Sequence, residues 1–353
     1  MAEPVYLSGG RIQGRSDDSV LDSIPQTSWK ELDRVTLSGT SDTMDTGTFT
    51  AKDNLMILAH IIRTGSVSVN MTFNADDSNG NYAGRLSETG ESDGTDASQD
   101  EIRVSIDGED DEFYVMNFSN IANQEKLGTI EIVARQAGTG AGNAPTRGER
   151  VEKWVNTSDQ ITRVTLSNPS GGDFASGSEL VVLGCDNDEA DSGTNYWQEL
   201  AVKELSSTGD TIDSGTLTAK KYLKVAVSIN ATTAVRTQFQ FNSDTGSNYA
   251  NRNQKNGASD STNPNMGRIY LNDLERSSDG YAVAYIINVA DREKLLIYHD
   301  VWQNSTGASN IPDRTETVAK WANTSNQITS IQLLNDKAGD FASGSFIRIW
   351  GAD

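Results

Sequence analysis

The chain has 353 residues, a formal charge of −21 at neutral pH and a pI near 4.4. Such a surface repels phosphate backbones and no local basic patch offsets it, so nucleic acid is not an expected partner. One cysteine, Cys185, leaves no intrachain disulfide framework, and no apolar run approaches the roughly 18 residues of a membrane helix.

Residues 1–28 contain Tyr6, Ile12 and Leu21 among glycine and polar residues, too little apolar surface for a core. They lack the basic and apolar regions of a signal peptide, so standard secretion is not indicated. They are expected to be an N-terminal arm that orders on a neighbouring subunit, with a plain disordered tail as the alternative.

From Trp29 onward, short apolar or alternating runs are separated by turn residues, and no window keeps a 3.6-residue period. Strands are predicted near Leu32–Leu37, Leu55–Ile62, Val67–Phe73, Ile102–Ile106, Phe113–Phe118, Leu127–Ala134, Val151–Val155, Ile161–Leu166 and Leu180–Leu183. Strict alternation of Val67, Val69, Met71 and Phe73 marks a half-buried strand. The nearly continuous run Leu55–Ile62 marks one covered on both faces. Between these strands, Gly84 to Glu101 and its counterpart Asn253 to Gly267 are too polar for a core and are expected to be long loops. The acidic stretch Asp107 to Glu112 reads as a turn.

The segment from Trp197 repeats the one from Trp29, with roughly a third of aligned positions identical, a period too long for a solenoid. Trp29-x-Glu31-Leu32 matches Trp197-x-Glu199-Leu200, and Phe73-Asn74 matches Phe241-Asn242. Glu125-Lys126-Leu127 answers Glu293-Lys294-Leu295, and Lys153-Trp154-x-Asn156-Thr157-Ser158 answers Lys320-Trp321-x-Asn323-Thr324-Ser325. Gly172-Asp173-Phe174-Ala175-Ser176-Gly177-Ser178 recurs from Gly339 to Ser345. The expected organisation is an arm (1–28), a first domain (29–186), a short acidic linker (187–196) and a second domain (197–353). Eight or nine strands in about 160 residues point to two tandem, duplicated jelly-roll-like β-sandwiches, an all-β protein. An immunoglobulin-like sandwich, at about 100 residues, is too small.

No motif for nucleophilic, metal or phosphate chemistry occurs, and His60 and His299 occupy non-equivalent positions. Both read as structural, and an enzyme is not expected. Asp76 to Asn81 and Asn242 to Gly246 have the oxygens and glycine to wrap Ca²⁺, but lack the twelfth-position Glu of an EF-hand. They read as hairpin turns, so no cofactor is expected and Ca²⁺ is the minor alternative.

Candidate partner contacts come from two sources. The loop motif Thr-Gly-Ala-x-Asn-x-Pro-x-Arg-x-Glu survives in both copies, nominating Asn143, Pro145 and Arg147 with Asn310, Pro312 and Arg314. Trp302 and Trp350, present only in the second copy opposite Ala134 and Leu183, nominate a sugar-stacking or partner surface; altered packing is the competing reading.

The Gly-Asp-Phe-Ala-Ser-Gly-Ser ending, followed by a short run and a glycine (Gly184, Gly351), resembles a tag of tailed-bacteriophage virion proteins, particularly marine ones. Trp-x-Glu-Leu and Lys-Trp-x-Asn-Thr-Ser fit the same resemblance. It implies a virion component: first a capsid decoration protein binding the major capsid protein, second a tail-fibre or receptor-binding protein. A pair of carbohydrate-binding modules, with a glycan as partner, and a double-jelly-roll major capsid protein are the alternatives. A homo-oligomer, such as a trimer, is expected, with no membrane partner.

Overall fold

The protein is described by a computed structural model, in all residues except 1–5, 9–10, 14–28, 78–79, 107–110, 136–137, 188–194, 232, 272–274 and 304–306. Within the arm only two backbone segments are described, β1 (Tyr6–Ser8) and β2 (Arg11–Gln13), which pair antiparallel. The rest of the arm and most of the linker lie outside the described residues.

Each repeat is a two-sheet sandwich, and no helix occurs among the described residues. The first contains β3 (Lys30–Thr36), β4 (Thr43–Asp45), β5 (Asn54–Ile61), β6 (Asn70–Phe73), β7 (Tyr82–Glu88) and β8 (Gly94–Gln99). It continues with β9 (Ile102–Arg103), β10 (Glu112–Ser119), β11 (Lys126–Ala134), β12 (Thr146–Trp154), β13 (Val164–Ser167) and β14 (Glu179–Cys185). An eight-stranded antiparallel sheet, β3-β14-β5-β10-β11-β12-β7-β8, faces a four-stranded one, β4-β13-β6-β9. First and last strands are neighbours, and the early strands alternate between sheets, the jelly-roll-like closure.

The second repeat has the same order. Its strands are β15 (Gln198–Glu204), β16 (Thr211–Asp213), β17 (Tyr222–Ile229), β18 (Gln238–Phe241), β19 (Tyr249–Lys255) and β20 (Ser261–Met266). They end with β21 (Ile269–Tyr270), β22 (Gly280–Ile287), β23 (Lys294–Trp302), β24 (Asp313–Trp321), β25 (Ile331–Leu334) and β26 (Phe346–Ala352). Its sheets run β15-β26-β17-β22-β23-β24-β19-β20 and β16-β25-β18-β21.

Alternation explains each core. Val67, Val69, Met71 and Phe73 point inward with Leu55, Ile57, Tyr114, Met116 and Trp154, and all are buried; Phe239, Phe241, Tyr249, Tyr298 and Trp321 fill the second sandwich. The matched sequence motifs are the fixings of this fold. Asp76 accepts the Trp154 indole N–H at 2.7 Å and Asp244 accepts that of Trp321 at 2.7 Å. Lys126 and Lys294 are buried over those rings, and each donates through Nζ to loop carbonyls, including those of Asn156 and Asn323. Asn156 Oδ1 caps the amides of Ser158 and Asp159, which makes that segment a turn. Phe174 and Phe341 of the repeated ending are fully buried and bridge Ser41 and Gly209.

Two expectations are corrected. Gly84 to Glu101 is mostly the hairpin β7–β8, and Asn253 to Gly267 contains most of β19–β20. Polarity hid these strands because β8 and β20 are sheet edges with solvated side chains. Glu112 is no turn residue: it starts β10, fully buried, and is paired with Arg63 and hydrogen-bonded by Tyr114.

Candidate interaction surface

A third apolar cluster lies outside both sandwiches. It joins Met56, Leu58, Phe113, Val115, Val133, Val181 and Leu183 to Trp197, Tyr222, Ile287, Leu295, Ile297, Val318 and Ala352. These are the residues that alternate with the inward set, so they project from the outer faces of the two large sheets. The domains are therefore packed face against face, with Phe113 and Tyr222 in ring contact at 6.2 Å. Leu55–Ile62 is covered on both sides because one face meets the small sheet and the other meets the second domain.

Polar groups frame this contact. Arg147, almost fully buried, pairs with Glu149 of its own strand, and its guanidinium also reaches Glu316 at 3.1 Å and Asp260 at 3.0 Å in the second domain. Arg252 donates to the Pro145 carbonyl at 2.9 Å, Asn265 N–H to the Ala141 carbonyl at 2.8 Å, and Gly140 N–H to Glu293. On the opposite margin Glu179 accepts from Tyr222 at 2.7 Å and pairs with Lys221 at 2.9 Å and Arg34 at 2.9 Å. His60 lies in the same buried layer. Burial, then the Lys221 and Arg292 charges, lowers its pKa to about 3, so the ring is neutral. His299 meets Glu131 across the interface at 3.3 Å; burial, the largest single influence, opposes its charge, but the Glu131 hydrogen bond together with the Glu131 and Glu149 charges outweighs this and raises its pKa.

The contact is lopsided. Register places Glu179, His60, Phe113, Val133 and Arg147 side by side on the first outer face, and this row is covered. The same row of the second domain is Phe346, Ser228, Tyr281, Val301 and Arg314. There Tyr281 is 49% and Val301 45% exposed. Conversely Leu295 and Val318 are buried, whereas their first-domain equivalents Leu127 and Val151 are 57% and 52% exposed. Leu127 and Val151 line a groove of about 720 Å³ rimmed by Trp29, Arg85 and Lys153, all first-domain residues.

The nominated contact residues divide. Pro145 and Arg147 are buried within the chain's own domain junction, so they are not an external surface; Asn143 is exposed beside them. Asn310, Pro312 and Arg314 form the uncovered copy of that loop. Trp302 is corrected: it is a buried core residue that donates to Asp300 at 2.9 Å, its ring lying over Gly280. Trp350 is on the opposite face of the sheet, half-buried beside Lys224 and Arg348, so the two tryptophans form no common platform. Leu127, Val151, Tyr281 and Val301 were not singled out from sequence; for the last two, the apolar residues that alternate with the inward set on β22 and β23 were the available signal, whereas Leu127 on β11 and Val151 on β12 stand among polar outer-face neighbours.

Among the described residues no group of three or more His, Cys, Asp or Glu is placed to hold a metal. In the two candidate Ca²⁺ loops, Asp76 accepts from the buried Trp154 and from Asn81, and Asp244 from the buried Trp321 and from Asn248.

Fold and site together define a tandem β-sandwich protein whose conspicuous surfaces are apolar sheet faces. No protein-family model matches the chain, and no curated protein matches it significantly. Among solved structures it is similar to domains LG4-5 of the mouse laminin alpha1 chain, at 10% identity over 93% of this chain and 91% of that one. The TM-score is 0.19, a superposition too poor to bear on function.

Proposed function

We propose that this chain is a non-enzymatic structural protein of a virus particle, acting as a decoration protein on the capsid shell. The observation that supports it is the use made of the outer sheet faces. Half of each holds the two domains together as one body, and the remaining half carries exposed apolar side chains among polar ones, Leu127 and Val151 on the first domain and Tyr281 and Val301 on the second, a surface suited to assembly. The virion assignment rests on the resemblance of the repeated Gly-Asp-Phe-Ala-Ser-Gly-Ser ending, whose residues here serve the fold. The partner is then the major capsid protein.

Cosedimentation with purified capsids tests this: saturable binding to preformed shells is expected. Shell-like particles formed by the chain alone would move the assignment to a major capsid protein. Failure to bind capsids together with binding to host cells or glycans would move it to the tail. A glycan platform built on Trp302 has no support, because that ring is in the core.

A further inference from the structure

The junction between the domains is heterologous, although the domains are copies. A two-fold contact would bury the same residues on both sides. Here Phe113, Val133 and Arg147 are buried while their equivalents Tyr281, Val301 and Arg314 are not, and Leu295 and Val318 are buried while Leu127 and Val151 are not. One domain contributes a projecting row, the other a receiving groove. Each keeps the unused partner of the pair: the first domain an open groove, the second an open row. From this we infer that the open row of the second domain docks into the open groove of the first domain of another copy of this chain, repeating head to tail the contact that joins the domains.

The polar groups that guide the internal contact are duplicated at the open one. Glu293 pairs with Lys320 at 3.2 Å, both buried, and takes the Gly140 N–H from the docking loop. Its equivalent Glu125 pairs with Lys153 at 3.1 Å, with 42% of each side chain exposed and, among the described residues, no loop amide on it. The loop that would supply that amide is present in the second domain: Gly307 has φ 91°, as Gly140 does. Glu316 is shared by Arg314 of its own domain and Arg147 of the other. Glu149, the equivalent of Glu316, likewise holds the arginine of its own strand, Arg147. The exposed large hydrophobics of the described chain are Leu127, Val151, Tyr281, Val301 and Ile311, and all fall in the groove, in the row or in the loop beside the row. A repeated heterologous contact closes into a ring if its rotation permits and otherwise grows as a filament.

This inference stands apart from the virion reading, because it is tested on the isolated full-length chain. Analytical ultracentrifugation should show species above 38.1 kDa that grow with concentration. Leu127→Asp with Val151→Asp closes the groove, and Tyr281→Asp with Val301→Asp closes the row; each double variant should self-associate at least tenfold more weakly. Mixed, the two variants should form a one-to-one dimer, since each keeps the surface the other lacks. Circular dichroism and melting curves like those of the parent chain would show that both variants remain folded. A parent chain that stays monomeric to roughly 100 µM, well above micromolar dissociation constants, overturns the inference. So do folded variants that associate like the parent, or a mixture that shows no dimer. Loss of capsid binding with head-to-tail association intact would count against the decoration role alone.

Discussion

At the scale of single residues, position relative to the second domain decides what equivalent side chains do. Arg147 and Arg314 share a sequence context, yet one is enclosed by Glu149, Glu316 and Asp260 and the other is largely solvated. Removing Arg147 strands buried carboxylates, so Arg147→Ala should cost about 3–5 kcal/mol in chemical denaturation at pH 7. Arg314→Ala, measured at dilute concentration, should cost under about 0.5 kcal/mol. The two histidines give opposite pH dependences. His60 binds its proton more weakly folded than unfolded, so stability falls as pH drops from 6.5 towards 3, by on the order of 4 kcal/mol. His60→Leu should flatten that acid limb. His299, with its pKa raised, stabilises the fold below pH 6.5, and this contribution is lost as pH rises through its folded value. Stability profiles of His299→Ala should lack that loss.

Among elements, the paired strands show how duplicated sandwiches tolerate divergence. In the first domain Glu112 lies opposite Ala134, and its carboxylate is met by Arg63 and Tyr114. In the second, Gly280 lies opposite Trp302 and Ala282 replaces Tyr114, so a large ring occupies space that the first copy fills with a polar cluster. A Cβ on Gly280 would sit 2.7 Å from that ring, far inside contact distance. Gly280→Ala should therefore cost about 1–3 kcal/mol and alter the near-ultraviolet dichroism of Trp302. Strand existence was readable wherever the run was apolar, as in β5, β10 and β11. It was not readable in β8 and β4, where edge location or shortness leaves few buried side chains to reveal a period, nor in β7, an interior strand whose side chains beyond Tyr82 are mostly polar and only half-buried.

For the molecule as a whole, the shared apolar cluster makes two sandwiches into one unit. Separating the domains would expose Phe113, Val181, Leu295 and Ile297 and break the Arg147 and Glu179 clusters. A single calorimetric transition is expected, with calorimetric and van't Hoff enthalpies in agreement. Ile297→Asp should split it into two by weakening the junction without entering either sandwich core. The long apolar run of β5 indicated cover on both faces, and that is how it is used. The identity of the covering layer was not legible, since nothing local distinguishes a neighbouring domain from a neighbouring subunit.

The sequence by itself determined the duplication, the all-β character, the inward alternation of each core and the turns built on Asn156, Asp76 and Asp244, because these depend on periods and side-chain chemistry within a few residues. Only the tertiary structure decided that half of each outer face is spent inside the chain. Leu127 and Leu295 are the same residue in the same motif, and Val151 and Val318 are likewise equivalent, yet one of each pair is covered and the other open. Burial of an outer face is a sum over contacts from distant parts of the chain, and it is set by how two rigid layers are placed, which no local pattern encodes.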